Sequence, residues 1–247
     1  MIKELVNAIL YEYSYVQLYG LVFLYFLFLY FALAPAFISV CKFLAKKNIL
    51  HKITDRGVSA KQIRFELLHS LKSIFIFGFS AFPVIYLVRI DAVTLLPDTL
   101  LNVVSGILFL TIWNEVHFFV VHRMMHLPFF MKHVHTIHHK SITPTVYSVY
   151  SFHWLEALLL STVPFTLILF FPLAPLAIFI YPLASILLNY AGHCNYRFGD
   201  GKGASWKLFG THHNAHHAKF TKNYGFASNL LDKLNDRINQ PRADQRK

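Results

Sequence analysis

Charge is scarce in this sequence. Only 14% of its 247 residues are Asp, Glu, Lys or Arg, against 55% that are hydrophobic, whereas soluble domains carry about a quarter charged residues. An ordinary water-soluble globule is thereby excluded. No such charge occurs between Glu12 and Lys42, and none between Glu156 and Arg197. Cysteine is rarer still: Cys41 and Cys194 are the only two, too few for a disulfide-stapled scaffold, and no disulfide is expected if both face the cytoplasm. No HExxH occurs, which removes the zinc-protease pattern. There is no internal repeat, no low-complexity segment, and no recognisable haem, flavin or iron–sulfur module.

What fills the chain instead is apolar stretches of membrane length. "YGLVFLYFLFLYFALAPAFISV" exceeds the roughly 20 residues needed to cross the hydrocarbon, with a kink expected at Pro35. A secretory signal would have a shorter apolar stretch, so this one is read as a retained span. A second span is "SIFIFGFSAFPVIYLV", between Lys72 and Arg89, and a third runs from Leu100 to Val121. The uncharged stretch after Glu156 would be about 60 Å as a helix at ~1.5 Å per residue, twice the bilayer core, so it must fold back. Pro172 and Pro175 divide it into segments 157–171 and 173–191. The fold class expected is all-α, a multi-pass transmembrane helical bundle. Crossing parity then puts 42–72, 122–153 and 193–247 on one face, with 8, 3 and 10 basic residues, 21 of the chain's 23. By the bias of Lys and Arg toward the cytoplasm, that face is cytoplasmic: the inner membrane in a bacterium, the endoplasmic reticulum in a eukaryote. The net charge of +11 is read as attraction to anionic lipid, and no nucleic-acid partner is expected.

Thirteen of the fifteen histidines lie between His117 and His217. Helical neighbours sit three and four residues apart, so His122 pairs with His126, His135 groups with His138 and His139, and His213 groups with His216 and His217; each box is expected to aim its imidazoles in one direction. Glu115, two turns before His122, is read either as a carboxylate orienting a ligand's second nitrogen or as a solvated interfacial acid. Eight imidazoles confined together repel one another when protonated, so they should be neutral, and neutral imidazole ligates metals. Eight exceeds one tetrahedral shell, which makes two metals the natural count. Imidazole alone does not choose between iron, copper, nickel and zinc. His51 and His69, outside the boxes, are read as structural.

"HFFVVHRMMH", "HVHTIHH", "FHWLE", "NYAGHCNY" and "HHNAHH...NYGFASNLLDKLNDR" together resemble the fatty acid hydroxylase and sterol desaturase superfamily, integral-membrane non-haem di-iron oxygenases, over about residues 100–237. The short gap between the first two boxes is unlike the wider one of acyl-CoA desaturases. The resemblance implies a domain plan of N-terminal helices and a basic loop (1–99), a catalytic region (100–237) and a basic tail (238–247). It implies metal ligation by His122, His126, His135, His138, His139, His213, His216 and His217, with His193 as a ninth ligand and no further catalytic side chain. Asn189 stands where the hydroxylase branch has another histidine, which leaves a tenth ligand open. His153 resembles the histidine of an HP-acid stretch, with Trp154 in place of proline, and is a candidate ligand or substrate-side residue. His117, His133 and His212 are read as flanking residues. Asp232 matches the aspartate of a Trp-Asp-Arg stretch, although Leu231 and Lys233 replace its neighbours.

The implied chemistry is dioxygen-dependent hydroxylation or desaturation of a lipid C–H bond at two iron ions, zinc being a substitute on overexpression, with a sterol-like or fatty-acyl substrate from the membrane and an external electron-transfer protein. A carotenoid hydroxylase is an alternative of the same class. A zinc hydrolase, or a metal-binding protein without turnover, is an alternative of another.

Overall fold

The computed structural model describes residues 2–199 and 210–239; residues 240–247 of the expected tail lie outside the described residues. The chain is mostly helical. In order it forms α1 (Ile2–Asn7) running into a π turn (Ala8–Glu12), α2 (Tyr15–Phe31), α3 (Leu33–Lys46), β1 (Leu50–Lys52), α4 (Ala60–Phe77), α5 (Phe82–Arg89) and α6 (Leu100–Met125). There follow α7 (Pro128–Phe130), a π turn (Met131–His135), α8 (Thr136–His139), α9 (Trp154–Leu160), α10 (Val163–Ile168), α11 (Pro175–His193), β2 (Tyr196–Phe198), α12 (Thr211–Lys219) and α13 (Leu230–Asn239). Four stretches are long and apolar enough to cross a membrane: Tyr15–Lys46, Ala60–Arg89, Leu100–Met125 and Pro175–His193.

Hydroxyl side chains set where the spans begin. Ser14 caps α2 by accepting from the Gln17 amide while Gln17 reaches back to the Ser14 amide, and Ser59 and Thr99 cap α4 and α6 by accepting from the amides of Gln62 and Asn102. Prolines set where they break. The first span is interrupted at Ala32 rather than at Pro35 itself, because Pro35 offers no N–H to the Phe31 carbonyl and its ring crowds that turn. Pro83 does the same to Phe79, and α4 gives way to α5 there.

One expectation needs correction. The second span begins at Ala60, well before Lys72: Lys61, Arg64 and Lys72 sit on the exposed face while Glu66, Ser70 and Ser73 form the buried stripe, so the sequence shows no apolar run there. Glu66 is fully buried and takes hydrogen bonds from Gln62 Nε2 at 2.8 Å and Thr145 Oγ1 at 2.6 Å. Together with Ser70 donating to the Tyr147 carbonyl, this ties the 141–152 loop to α4. The helical bundle expected is the fold found, and it carries in addition a two-stranded antiparallel ribbon in which His51 faces Arg197. Three-residue strands so far apart in sequence carry no local pattern to read.

The returning hairpin is present but asymmetric, with α9 and α10 short and α11 long. α11 packs closely along α6: a Cβ on Gly106 would come within 2.6 Å of the Ala177 Cβ, the close approach that small residues permit between membrane helices. Gly106 thus fixes the spacing of the two helices that carry His122 and His193.

Candidate metal centre

At one end of the bundle, side chains from α6, the π turn with α8, α11 and α12 meet. All nine histidines expected as ligands converge there, in two groups: His122, His126, His135, His139 and His216 in one, and His138, His193, His213 and His217 in the other, with the ligand atoms of each group within 4.8 Å of one another. His126 is half-buried and the other eight are buried.

The division corrects the idea that each box points one way. Adjacent residues on a helix diverge by about 100°, so His138 and His139 serve different groups, as do His216 and His217. Members four apart stay together: His135 with His139, and His213 with His217. The His138–His139 doublet of "HTIHH" and the His216–His217 doublet of "HHNAHH" therefore straddle both sites, and the second and third boxes each contribute to both.

The hydrogen bonds show what the groups are built to hold. His122 Nδ1 donates to the Tyr224 carbonyl at 2.9 Å, His216 Nδ1 to the Lys222 carbonyl at 2.7 Å and His193 Nδ1 to the Asn189 carbonyl at 2.9 Å. A neutral imidazole whose Nδ1 carries the proton has a bare lone pair on Nε2. In the first group the Nε2 atoms of His126, His139 and His216 lie 3.1–3.3 Å apart; in the second, His213 Nε2 is 2.9 Å from His193 Nε2 and 3.0 Å from His217 Nε2. His216 and His193, their Nδ1 protons committed to carbonyls, present bare Nε2 lone pairs to these clusters, and a cation among the nitrogens would satisfy each cluster at once. The donor set thus fits a metal with nitrogen affinity in each group.

Electrostatics agree. Burial pushes His126 down to about 3, with His135, His216 and Arg123 adding to the effect. It holds His216 at about 4 and keeps His138, His213 and His217 well below the usual histidine range, their imidazole neighbours lowering them further. These groups are neutral near pH 7, the form that ligates.

The remaining candidates take other places. Glu115 does not touch an imidazole: Oε1 accepts from the Ala227 amide at 2.8 Å, and Oε2 lies 3.4 Å from Ser228 Oγ. The role assigned to it beside His122 belongs to the Tyr224 carbonyl. Asp232 accepts from the amides of Tyr224 at 2.8 Å and Gly225 at 3.0 Å. Both carboxylates thus shape the loop that supplies the carbonyl partners of His122 and His216. Phe220, at a positive φ of 61°, turns the chain after α12 so that Lys222 returns to His216. The Asn189 side chain donates to the Val149 carbonyl, so it is the backbone of this residue that serves His193. His153 caps α9 by accepting from the Leu155 amide, outside both groups. His117 bonds Thr162, His212 contacts Asn229 and His133 packs on Phe129, all outside the groups as expected.

One participant was missed. Glu156, 3% exposed, places Oε1 2.9 Å from His135 Nδ1, the one carboxylate within reach of a grouped imidazole among the described residues. Its signal in the sequence is its position, a lone acid at the edge of a charge-free stretch. Phe118 and Phe152 cover the histidines from the membrane side, their rings 4.9 Å from His122 and His138 respectively, and both also line a cavity that continues away from the boxes.

Comparison with known proteins accords with this geometry. The model of the fatty acid hydroxylase family matches residues 107–236, just over half of the chain. The chain is 30% identical over 128 residues to a probable Delta(7)-sterol 5(6)-desaturase of Neurospora crassa, covering 50% of this chain and 35% of that protein. It is 34% identical over 133 residues to a Delta(7)-sterol 5(6)-desaturase of Schizosaccharomyces pombe, covering 53% and 39%. To sphinganine C4-monooxygenase 2 of Arabidopsis thaliana it is 34% identical over 116 residues, covering 44% and 43%. The chain spans less than half the length of these relatives. No solved structure matches it. With nine histidines drawn from helices that all fall within or beside the matched region, the chain belongs to the fatty acid hydroxylase family.

Proposed function

We propose that this chain is a membrane-bound lipid oxidase, a hydroxylase or desaturase, with residues 100–237 as its catalytic region and the nine grouped histidines as ligands to two iron ions. The observation that carries this reading is the pair of buried imidazole groups at one end of a membrane-spanning bundle, with Phe118 and Phe152 standing between them and a cavity that runs on into the bundle. His122, His126, His135, His139 and His216 would hold one ion; His138, His193, His213 and His217 the other. Two iron ions so held would supply reductive activation of dioxygen and abstraction of hydrogen from an unactivated C–H bond, which no side chain does unaided. The protein's own part is orientation and exclusion. Backbone carbonyls fix three imidazoles by their Nδ1 atoms, and Phe118 and Phe152 keep water from the lipid side. Sterol and sphingoid lipids, named in the relatives, are the substrate classes to try first, and electrons come from a separate redox protein.

The test is oxygen dependence. Membranes holding the protein, given an electron donor and candidate lipids, should consume dioxygen and yield a product shifted in mass. Labelled dioxygen should appear in an alcohol and be absent from an alkene, which separates hydroxylation from desaturation. Undiminished turnover without dioxygen would sink the reading in favour of a zinc hydrolase.

We further infer that the histidines face the cytoplasm, on the strength of the 21 basic residues grouped with them. Ala92 is exposed on the α5–α6 loop, and both native cysteines are buried. Ala92→Cys should therefore react with an impermeant thiol reagent from outside the cell or from the organelle lumen. Reaction from the cytoplasmic side alone would invert the topology.

A further inference from the structure

Beneath the histidines, two chambers lie end to end. The first is the smaller, a cavity of about 90 Å³ whose wall mixes aromatic rings with the polar side chains of Asn114, Ser161, Ser185 and Asn189. The second, of about 300 Å³, lies between α2, α5 and the far half of α11, and its wall is apolar apart from Tyr25 and Ser80. Phe26, Ser80, Pro164 and Pro182 line both, so these residues form the seam. The order along α11 gives the axis: Pro175 and Ile178 in the far chamber, Pro182 at the seam, Ser185 and Asn189 in the near chamber, then His193. From Pro175 to Asn189 this is about 21 Å at ~1.5 Å per residue.

The far end has a floor, built from Ile9 and Leu10 in the π turn after α1. Arg89 fixes it from α5, its Nε donating to the Leu10 carbonyl at 2.7 Å and its Nη2 to the Tyr13 carbonyl at 2.6 Å. Charge-assisted bonds to two carbonyls hold a turn more firmly than apolar packing alone. Leu21 and Ile180, on the rim, are 43% and 38% exposed on spans that face the bilayer. What can fill the slot is therefore a membrane lipid.

We propose that the two chambers are a measuring slot for a lipid with one polar group and a long apolar body. The polar group lies at the Asn114–Ser185–Asn189 collar, the body runs along α11, and the far end meets Leu10, so that Leu10, backed by Arg89, sets the greatest length accepted. Polarity fixes the direction: a hydroxyl in the far chamber would be buried with almost no partner, whereas the Asn189 amide, its nitrogen already committed to the Val149 carbonyl, leaves an oxygen free to accept. The carbons brought to the histidines are then those nearest the polar group. This rests on the oxidase reading only for what happens to the lipid once bound.

Binding of saturated 1-alkanols of increasing length to the purified, metal-loaded full chain tests it, followed by melting-temperature shift. Affinity should rise about fourfold per methylene, the value of one buried CH₂, then stop rising at the length where the tail meets the floor. Leu10→Trp should move that break to shorter alcohols and Leu10→Ala to longer ones, with metal content unchanged in both. A variant that merely misfolds would weaken every alcohol and shift no break. A break at the same length in all three proteins, or none, overturns the slot. A wild-type break without oxygen-dependent turnover would leave the slot standing and sink the oxidase reading instead.

Discussion

His138→Ala and His216→Ala should each abolish lipid oxidation, and they should do so with different losses of metal. His138 belongs to the group of four, and its removal leaves three imidazoles, one short of a closed tetrahedral shell. That group should lose its ion, and the protein should purify with about half of its metal. His216 belongs to the group of five, so four ligands remain. Its Nε2, however, lies within 3.1–3.2 Å of both His126 and His139, the centre of the closest three-nitrogen array in that group. Metal should be weakened there rather than absent, released by mild chelation that leaves the wild type loaded. Activity is lost in both because the chemistry needs both ions. His51→Ala, at an exposed position of β1 opposite Arg197, should retain wild-type turnover and metal. Metal analysis and turnover on the same preparations decide this. Normal oxidation by either box variant would remove the dinuclear mechanism, and one metal or none in the wild type would remove the dinuclear site.

Much of this was legible in the sequence, for identifiable reasons. Membrane spans announce themselves because hydrocarbon tolerates no uncompensated charge, and the charge-free stretches after Glu12 and Glu156 show it. Where a span is polar on its buried face, as α4 is at Glu66, Ser70 and Ser73, the same rule truncates it. The convergence of the eight box histidines was legible because box spacing and helical periodicity coincide, and that of His193 through the family resemblance. Their division into five and four was not, since it depends on adjacent residues diverging on a helix and on how four elements are placed around the site. The orienting partners were the least legible. Carbonyl oxygens of Asn189, Lys222 and Tyr224 carry no residue-type signature, so an orienting role could be offered only to a carboxylate, as one of two readings of Glu115, which shapes the loop one step further out. Glu156, the carboxylate that does approach an imidazole, lies twenty-one residues after His135 and is brought to it only by the tertiary fold.

That outer loop is where a change without a ligand lost should have an effect approaching that of a ligand itself. The 221–229 segment presents two carbonyls to two imidazoles of the five-histidine group and is held by two carboxylates. A Cβ on Gly225 would overlap the Ser228 carbonyl oxygen and press on Asp232 Oδ2, and rigid backbone cannot yield as the end of a side chain can. Gly225→Ala should therefore displace the loop, free the Nδ1 atoms of His122 and His216, and let their rings rotate out of register. Asp232→Asn reaches the same loop without a clash. One oxygen still accepts an amide, but the other becomes an NH₂ that faces a backbone donor, so one buried N–H is left unsatisfied. Orienting partners of metal-bound histidines are worth about 10–100-fold in metal affinity or activity. Asp232→Asn should fall in that range and Gly225→Ala at or beyond its upper end. In both, metal should leave the five-histidine group while the four-histidine group, whose one carbonyl anchor is Asn189 on α11, keeps its ion. Metal content near half of the wild type, with the alcohol-binding break unmoved, is the expected signature. Equal loss from both groups would mean that the loop merely supports the fold, and full metal with full activity would mean that the carbonyl anchors of His122 and His216 do not orient them for ligation.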